Sequence, residues 1–295
     1  MRSIQERRLK EFVNRDTEMD CFKGMLDENE PQIMVLTGGG GLGKSSLVAQ
    51  MQHESALYGL RKVEVVVTDT RNKYYLEIMR KLRDDIGVKC FSEFTDLVNF
   101  YTVPQYELKI TGLEGTQISV ADGMAISGDA QVGDVAAIII KDSMNIQPRD
   151  DQSVPESERM ARLTDAFHRC LTTAISDERL LIFLDGTEKL DKDTTTWLWN
   201  ELLRPIQEGI LDNVNFVLSG RQAPELDRDW DFFITIEELK PLKNEHIIQY
   251  LEKRGIPLDP DGMVLQSALL YSDGGMPNKL AILADGLVRG LKKKD

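Results

Sequence analysis

Apolar positions along this chain fall into two alternating rhythms. Ile33-Met-Val-Leu36 and Leu180-Leu-Ile-Phe-Leu184 are unbroken apolar runs of strand length, the pattern of strands buried on both faces of a parallel sheet. Lys62–Val67 and Asn215–Ser219 read as further strands. Between them apolar residues recur at steps of three and four. Ser46–Glu54 and Tyr74–Ile86 read as helices, Met160, Leu163, Phe167, Leu171 and Ile175 form one stripe, and Trp197–Ile206 is another helix. Strands alternating with helices mean parallel βαβ units, so the pattern predicts an α/β fold with a three-layer αβα parallel sheet.

Two stretches depart from this rhythm. Lys109–Val120 and Met124–Ile140 alternate short β-prone runs with Gly and Asp turns, which predicts a small β-rich insertion over 103–155. Its Ile138–Ile140 run is a sticky edge that would have to pack on the core or on another copy. The Gly/Asp pairs lack the spacing of a calcium loop and read as turns. Gln147–Glu158, rich in Pro, Asp and Ser, links the insertion back to the core. From Pro241 onward, Glu245–Arg254, Met263–Tyr271 and Lys279–Leu291 read as three short helices, with Asp273-Gly-Gly-Met-Pro277 breaking two of them. The expected organisation is a core in two parts, 1–102 and 156–240, the insertion at 103–155, and a helical lid domain at 241–295.

The chemistry begins where the first strand ends. Gly38-Gly-Gly-Gly-Leu-Gly43-Lys44-Ser45-Ser46 has the form G-x-x-x-x-G-K-S between a buried strand and a helix, the context a phosphate-binding loop requires. Without Cβ atoms, Gly38, Gly39, Gly40, Gly41 and Gly43 let backbone N–H groups turn inward around phosphate oxygens, with Leu42 and the helix start at Lys44 completing the cradle. Lys44 is expected to reach the β- and γ-phosphates, the Ser45 hydroxyl to ligate Mg²⁺, and Ser46 to complete the binding set. Mg²⁺ also needs a carboxylate from a neighbouring strand. Asp185 supplies it at the carboxyl end of Leu180–Leu184, and Glu188 is placed to orient or deprotonate an attacking water. Arg221, just past Asn215–Ser219, emerges on the same side of the sheet. It either senses the γ-phosphate bidentately or is a surface arginine pairing with Glu225 or Asp227.

Composition narrows the partners. With 36 basic and 49 acidic residues the net charge is −13, the wrong sign for a chain whose main task is gripping nucleic acid or an anionic membrane face. Cys21, Cys90 and Cys170 are isolated, which argues against a disulfide framework or a zinc site. No apolar run approaches the roughly 20 residues needed to span a bilayer, and Met1–Lys10 is charged, so a cytoplasmic location is expected. His53, His168 and His246 offer no catalytic arrangement with Ser, Cys or Asp.

Taken together, Phe12-Val13-Asn14-Arg15-Asp-Thr-Glu18, the phosphate loop, Leu-Asp185-Gly-Thr-Glu188, Val-Leu-Ser-Gly-Arg221 and Gly275-Met-Pro277 resemble the STAND class of signalling ATPases, relatives of the NACHT and NB-ARC switches within the AAA+-like branch of P-loop NTPases. The resemblance spans roughly 10–100 and 156–290. It implies ATP or ADP with Mg²⁺ as ligands, Val13 and Arg15 near the base, and Pro277 on a lid that closes over the nucleotide. Asn14 stands where that family usually has glycine, and Gly186 follows Asp185 where many AAA+ motors have an acid, which leaves the catalytic role to Glu188 and implies slow, switch-like hydrolysis. Implied partners are self-association on ATP binding and a protein effector or sensor. The alternative is an AAA+-type ATPase acting on DNA, of origin-recognition or transposition kind, which would need a basic face that the charge does not advertise. A small-molecule kinase would need a phosphate-acceptor pocket and paired lid arginines over the phosphates, and the lid offers little beyond Arg254 and Arg289. A GTPase would need an aspartate two residues after Lys279. Whether the chain is a compact member or a fragment of a longer signalling protein is left open by these residues.

Overall fold

In the computed structural model the chain is described at residues 9–27, 33–102, 154–176, 178–259 and 261–291, with four short backbone strands between 106 and 148. In chain order the elements are α1 (Asp16–Asp27), β1 (Ile33–Thr37), α2 (Lys44–Ser55), β2 (Arg61–Val66), α3 (Tyr75–Ile86) and α4 (Ser92–Thr102). Then come β3 (Tyr106–Lys109), β4 (Gln117–Val120), β5 (Met124–Ser127), β6 (Asn145–Pro148) and α5 (Glu156–Ala174). The remainder is β7 (Leu180–Asp185), α6 (Lys192–Trp197), α7 (Arg204–Gln207), β8 (Val214–Ser219), β9 (Ile234–Glu238), α8 (Asn244–Lys253), α9 (Met263–Tyr271) and α10 (Pro277–Leu291). These divide into two compact units, Met1–Ile86 with Ile175–Asp295, and Gly87–Ala174.

The first unit is built on a five-stranded, all-parallel sheet in the order β2-β7-β8-β1-β9. Every residue of β1 and β8 is buried, and so are the five apolar residues of β7, as unbroken apolar runs demand. The outer strand β2 instead alternates, with Val63 and Val65 buried between exposed or half-buried neighbours. Against one face, α1 and α2 bury Phe22, Leu47 and Met51 on Met34, Leu36, Phe183 and Val217. Burying a side chain such as Phe22 contributes about 2 kcal/mol. A parallel sheet brings all its carboxyl ends to one edge. There the register aligns Asp185 with Ser219 and Ser219 with Leu36, so the end of β8 lies between the phosphate loop and Asp185.

Several elements differ in detail from the sequence reading. The helix expected over Trp197–Ile206 is interrupted: α6 ends at Trp197, a π turn covers Leu198–Leu202, and α7 restarts with Pro205 in its first turn. Pro205 has no N–H to continue an α-helical ladder. The edge strand β9 and helices α1 and α4 lie outside the elements read from the pattern. The segment Ile138–Ile140 and the Gln147–Glu158 linker fall wholly or partly outside the described residues.

Beyond the sheet, α8, α9 and α10 pack around Ile247, Leu251, Ile256, Ala268, Leu280 and Ala284, and Val13 from the N-terminal segment joins this cluster. Helix α10 begins at Pro277 itself, a residue whose fixed φ suits a first helical position. Just before it, Gly275 has φ +104°, and a Cβ there would strike the Leu242 backbone carbonyl. Gly275→Ala is therefore expected to destabilise the lid by on the order of 3 kcal/mol, read as a lowered thermal midpoint with faster amide exchange in α10.

The second unit pairs α4 with α5. Phe91 and Phe94 meet Phe167 at ring-centroid distances of 5.2 and 5.4 Å, and Leu163 and Leu171 of the expected stripe are buried there. Strands β3–β6 form a four-stranded sheet in the order β4-β5-β3-β6 within the region read as β-rich. Among the described residues no helix is long and apolar enough to cross a membrane.

Candidate nucleotide site

The loop between β1 and α2 is shaped by its glycines. Gly38, Gly41 and Gly43 have φ of +129°, +86° and +92°, angles open to residues without Cβ, and Gly43 caps α2 in the left-handed conformation. The Lys44 ammonium folds back over the loop and donates to the carbonyls of Gly38 (2.6 Å) and Gly39 (3.1 Å). Burial lowers its pKa from the usual lysine value, against the upward pull of Glu188 and Asp185 and with the help of Arg221. All four groups therefore share one electrostatic neighbourhood.

Asp185 ends β7, and its Oδ1 accepts a hydrogen bond from the Ser219 hydroxyl, which leaves Oδ2 for another partner. Glu188 sits in the 3₁₀ turn Thr187–Lys189, pinned by the Thr187 hydroxyl donating to the Ser219 carbonyl at 3.0 Å. The Arg221 Nε lies 3.5 Å from Glu188 Oε1, with the arginine side chain 64% exposed and the glutamate side chain 24%. Arg221 thus pairs with Glu188 and not with Glu225 or Asp227 as the surface alternative had it.

A cavity of about 750 Å³ connects these groups. Its lining takes in Gly40–Ser46 with Asp185 and Glu188, the N-terminal Val13 and Arg15, and Pro277 and Asn278 of the lid. Gly38, Gly39 and Arg221 lie outside the lining: the two glycines hold Lys44 by their carbonyls, and Arg221 reaches the site through Glu188. Neither His53 nor His246 lines it. A volume of this size suits a nucleotide. One carboxylate oxygen and the Ser45 side chain on the cavity wall are a donor set of the hard-oxygen kind that Mg²⁺ takes beside phosphates.

Arg15 lines the cavity with its guanidinium held by the main chain. Asn14 and Arg15 both have positive φ, +57° and +91°; asparagine tolerates this, whereas arginine carries strain. The Arg15 guanidinium is buried, donating from Nη2 to the Leu42 carbonyl (2.9 Å) and the Lys240 carbonyl (2.9 Å), and from Nη1 to Glu18 (3.3 Å). It ties the phosphate loop to the segment between β9 and α8. Arg254 is likewise committed, to Glu11 and Asp285, while Tyr250 donates to Glu11 at 3.3 Å. It is not one of a pair of free arginines over the phosphates, which counts further against the kinase reading.

Sequence reasoning gave no role to Ser219, Tyr250 or Asn278 and did not anticipate the two acids that hold Arg254. Ser219 carries no local signal; its role exists because the sheet order inserts β8 between β1 and β7.

A glycine-rich loop at a helix start, an acid ending a strand beyond one inserted neighbour, and a helical lid over a shared cavity define a P-loop nucleoside triphosphatase of the AAA+ type. The family model for the AAA ATPase domain matches residues 11–211, and the chain belongs to that family. No curated protein matches it in sequence. Among solved structures it is similar to the signal transduction ATPase with numerous domains (STAND) carrying a tetratricopeptide repeat sensor from Pyrococcus horikoshii, at 15% identity and TM-score 0.42, covering 90% of this chain and 28% of that one. It is also similar to Drosophila ORC bound to DNA, at 15% identity and TM-score 0.47, covering 99% and 64%, and to Cdc6p from Pyrobaculum aerophilum, at 13% identity and TM-score 0.39, covering 85% and 48%. The chain spans less than two thirds of the length of each.

Proposed function

We propose that the chain is an ATP-binding, slowly ATP-hydrolysing switch of the STAND type, whose nucleotide state sets the lid's position or self-association. One observation carries this reading: the phosphate loop, Asp185, Glu188 and the first turn of the lid helix α10 line a single cavity. Lys44 and the loop N–H groups bind the β- and γ-phosphates. The Ser45 hydroxyl and Asp185 Oδ2 would hold Mg²⁺, which offsets the phosphate charge when bound. Glu188 orients a water and takes its proton as the water oxygen bonds to the γ-phosphorus and the bond to the β,γ-bridging oxygen breaks, leaving ADP and phosphate. The Arg221 side chain competes for the Glu188 carboxylate, which fits slow turnover. In the switch, ADP keeps lid and core closed, exchange for ATP frees or assembles the protein, and hydrolysis resets it, with a sensor or effector protein reading the change.

Arg221→Ala is expected to weaken ATP about tenfold and ADP little, because only the triphosphate offers a γ-phosphate. Competitive titration of the two nucleotides reads this, and equal losses would reduce Arg221 to a partner of Glu188. The reading as a whole is tested by denaturing the purified chain, identifying the released nucleotide by ion exchange, and following mass by light scattering as ATP or ADP is added. Tightly held ADP with ATP-dependent assembly supports the switch. An empty site with rapid, DNA-stimulated turnover would favour an AAA+ ATPase acting on DNA.

A further inference from the structure

The lid does more than cover the phosphate loop; it is bonded to it. The Asn278 N–H donates to the Gly41 carbonyl at 3.1 Å, and a Cβ built on Gly41 would collide with the Asn278 carboxamide. One residue earlier, the ring of Pro277 lies 3.8 Å from where a Cβ on Gly43 would stand. The carboxamide is oriented: its Oδ1 accepts from the Lys279 N–H at 2.8 Å, so its acceptor is engaged and its Nδ2 is the end left to donate. Asn278 lines the same cavity as Gly40–Ser46.

We propose that Asn278 is the lid's own contact with the polyphosphate of the bound nucleotide, donating from Nδ2 to a phosphate oxygen across Gly41. This deepens the switch reading and rests on it. Gly41 then serves two ends, since any side chain there would push Asn278 away from the loop. The contact gives the lid a direct way to register what the loop holds, because Asn278 joins one rigid helix, α10, to the phosphates.

The test separates this role from a helix-capping one. Asn278→Asp keeps the oxygen that accepts from Lys279 and, as a carboxylate at a helix start, preserves or strengthens the cap. A purely structural residue would tolerate it. A phosphate contact would not, because a donor is replaced by a negative charge facing negative oxygens. The expected result is an apo melting temperature at or above wild type, ADP affinity reduced at least about tenfold, ATP affinity reduced less because ATP frees the lid, and part of the loss recovered at high salt. Asn278→Ala is expected to fall between wild type and Asn278→Asp in affinity. Unchanged affinity for both nucleotides in Asn278→Asp would overturn the assignment. Wild-type protein titrated alongside distinguishes the two levels: if it binds ATP and Asn278→Asp binds equally well, this contact alone fails, whereas no binding by wild type removes the switch reading and the contact with it.

Discussion

Lys44→Ala is expected to lose at least about a hundredfold in affinity for ATP and ADP, some 3 kcal/mol, while the fold survives. The lysine's ammonium makes its hydrogen bonds to the loop carbonyls of Gly38 and Gly39 and none to the apolar core. Its backbone starts α2, where alanine is an excellent helix former. Burial already disfavours its charge, so truncation relieves a cost in the empty protein. Calorimetric titration with Mg-ATP and Mg-ADP, paired with a thermal melt, checks both halves. Wild-type affinity in this variant would refute the phosphate-loop assignment.

Glu188→Gln is expected to keep or tighten ATP binding and to slow hydrolysis by at least about a hundredfold, the scale of losing a general base. Glutamine preserves the shape of the side chain in the Thr187–Lys189 turn, so the turn's anchor to the Ser219 carbonyl stays intact. What it removes is the basic oxygen and a negative charge that acts on Lys44 and lies 3.5 Å from Arg221. Releasing Lys44 and Arg221 from that charge favours binding of the anionic nucleotide while depriving water of its proton acceptor. Single-turnover hydrolysis alongside equilibrium binding separates the effects; turnover at the wild-type rate would move the catalytic role to another group.

Parts of the molecule dictated by local pattern were legible in the chain. Strands β1, β7 and β8 are buried on both faces, and continuous apolar runs announce such strands. Lys44, Ser45 and Asp185 belong to motifs that need only a strand end beside a helix start. Strand β9 was silent because it lies at the sheet edge, where Ile234 and Ile236 are not fully buried and three of its five residues are polar. Helix α1 carries Met19, Phe22, Met25 and Leu26 at helical spacing, but among four acidic residues that blur the stripe. The site's long-range members were illegible for a different reason. Arg15 bonds to the Lys240 carbonyl and Arg254 to Glu11, partners more than 200 positions away that only the packed lid brings together. Asn278 meets Gly41 only because the packed α10 brings it there. The resemblance puts Arg15 near the base; it lines the cavity, and its buried guanidinium also holds two main-chain carbonyls that no local pattern announces.

The central claim is that the nucleotide in the phosphate loop sets the state of the lid. Amide hydrogen exchange across Pro277–Leu291, compared between Mg-ADP and Mg-ATP forms of Glu188→Gln to block turnover, tests it most directly. Stronger protection of this helix with ADP than with ATP is the predicted result. Identical protection in both forms, with both nucleotides bound, would contradict the account.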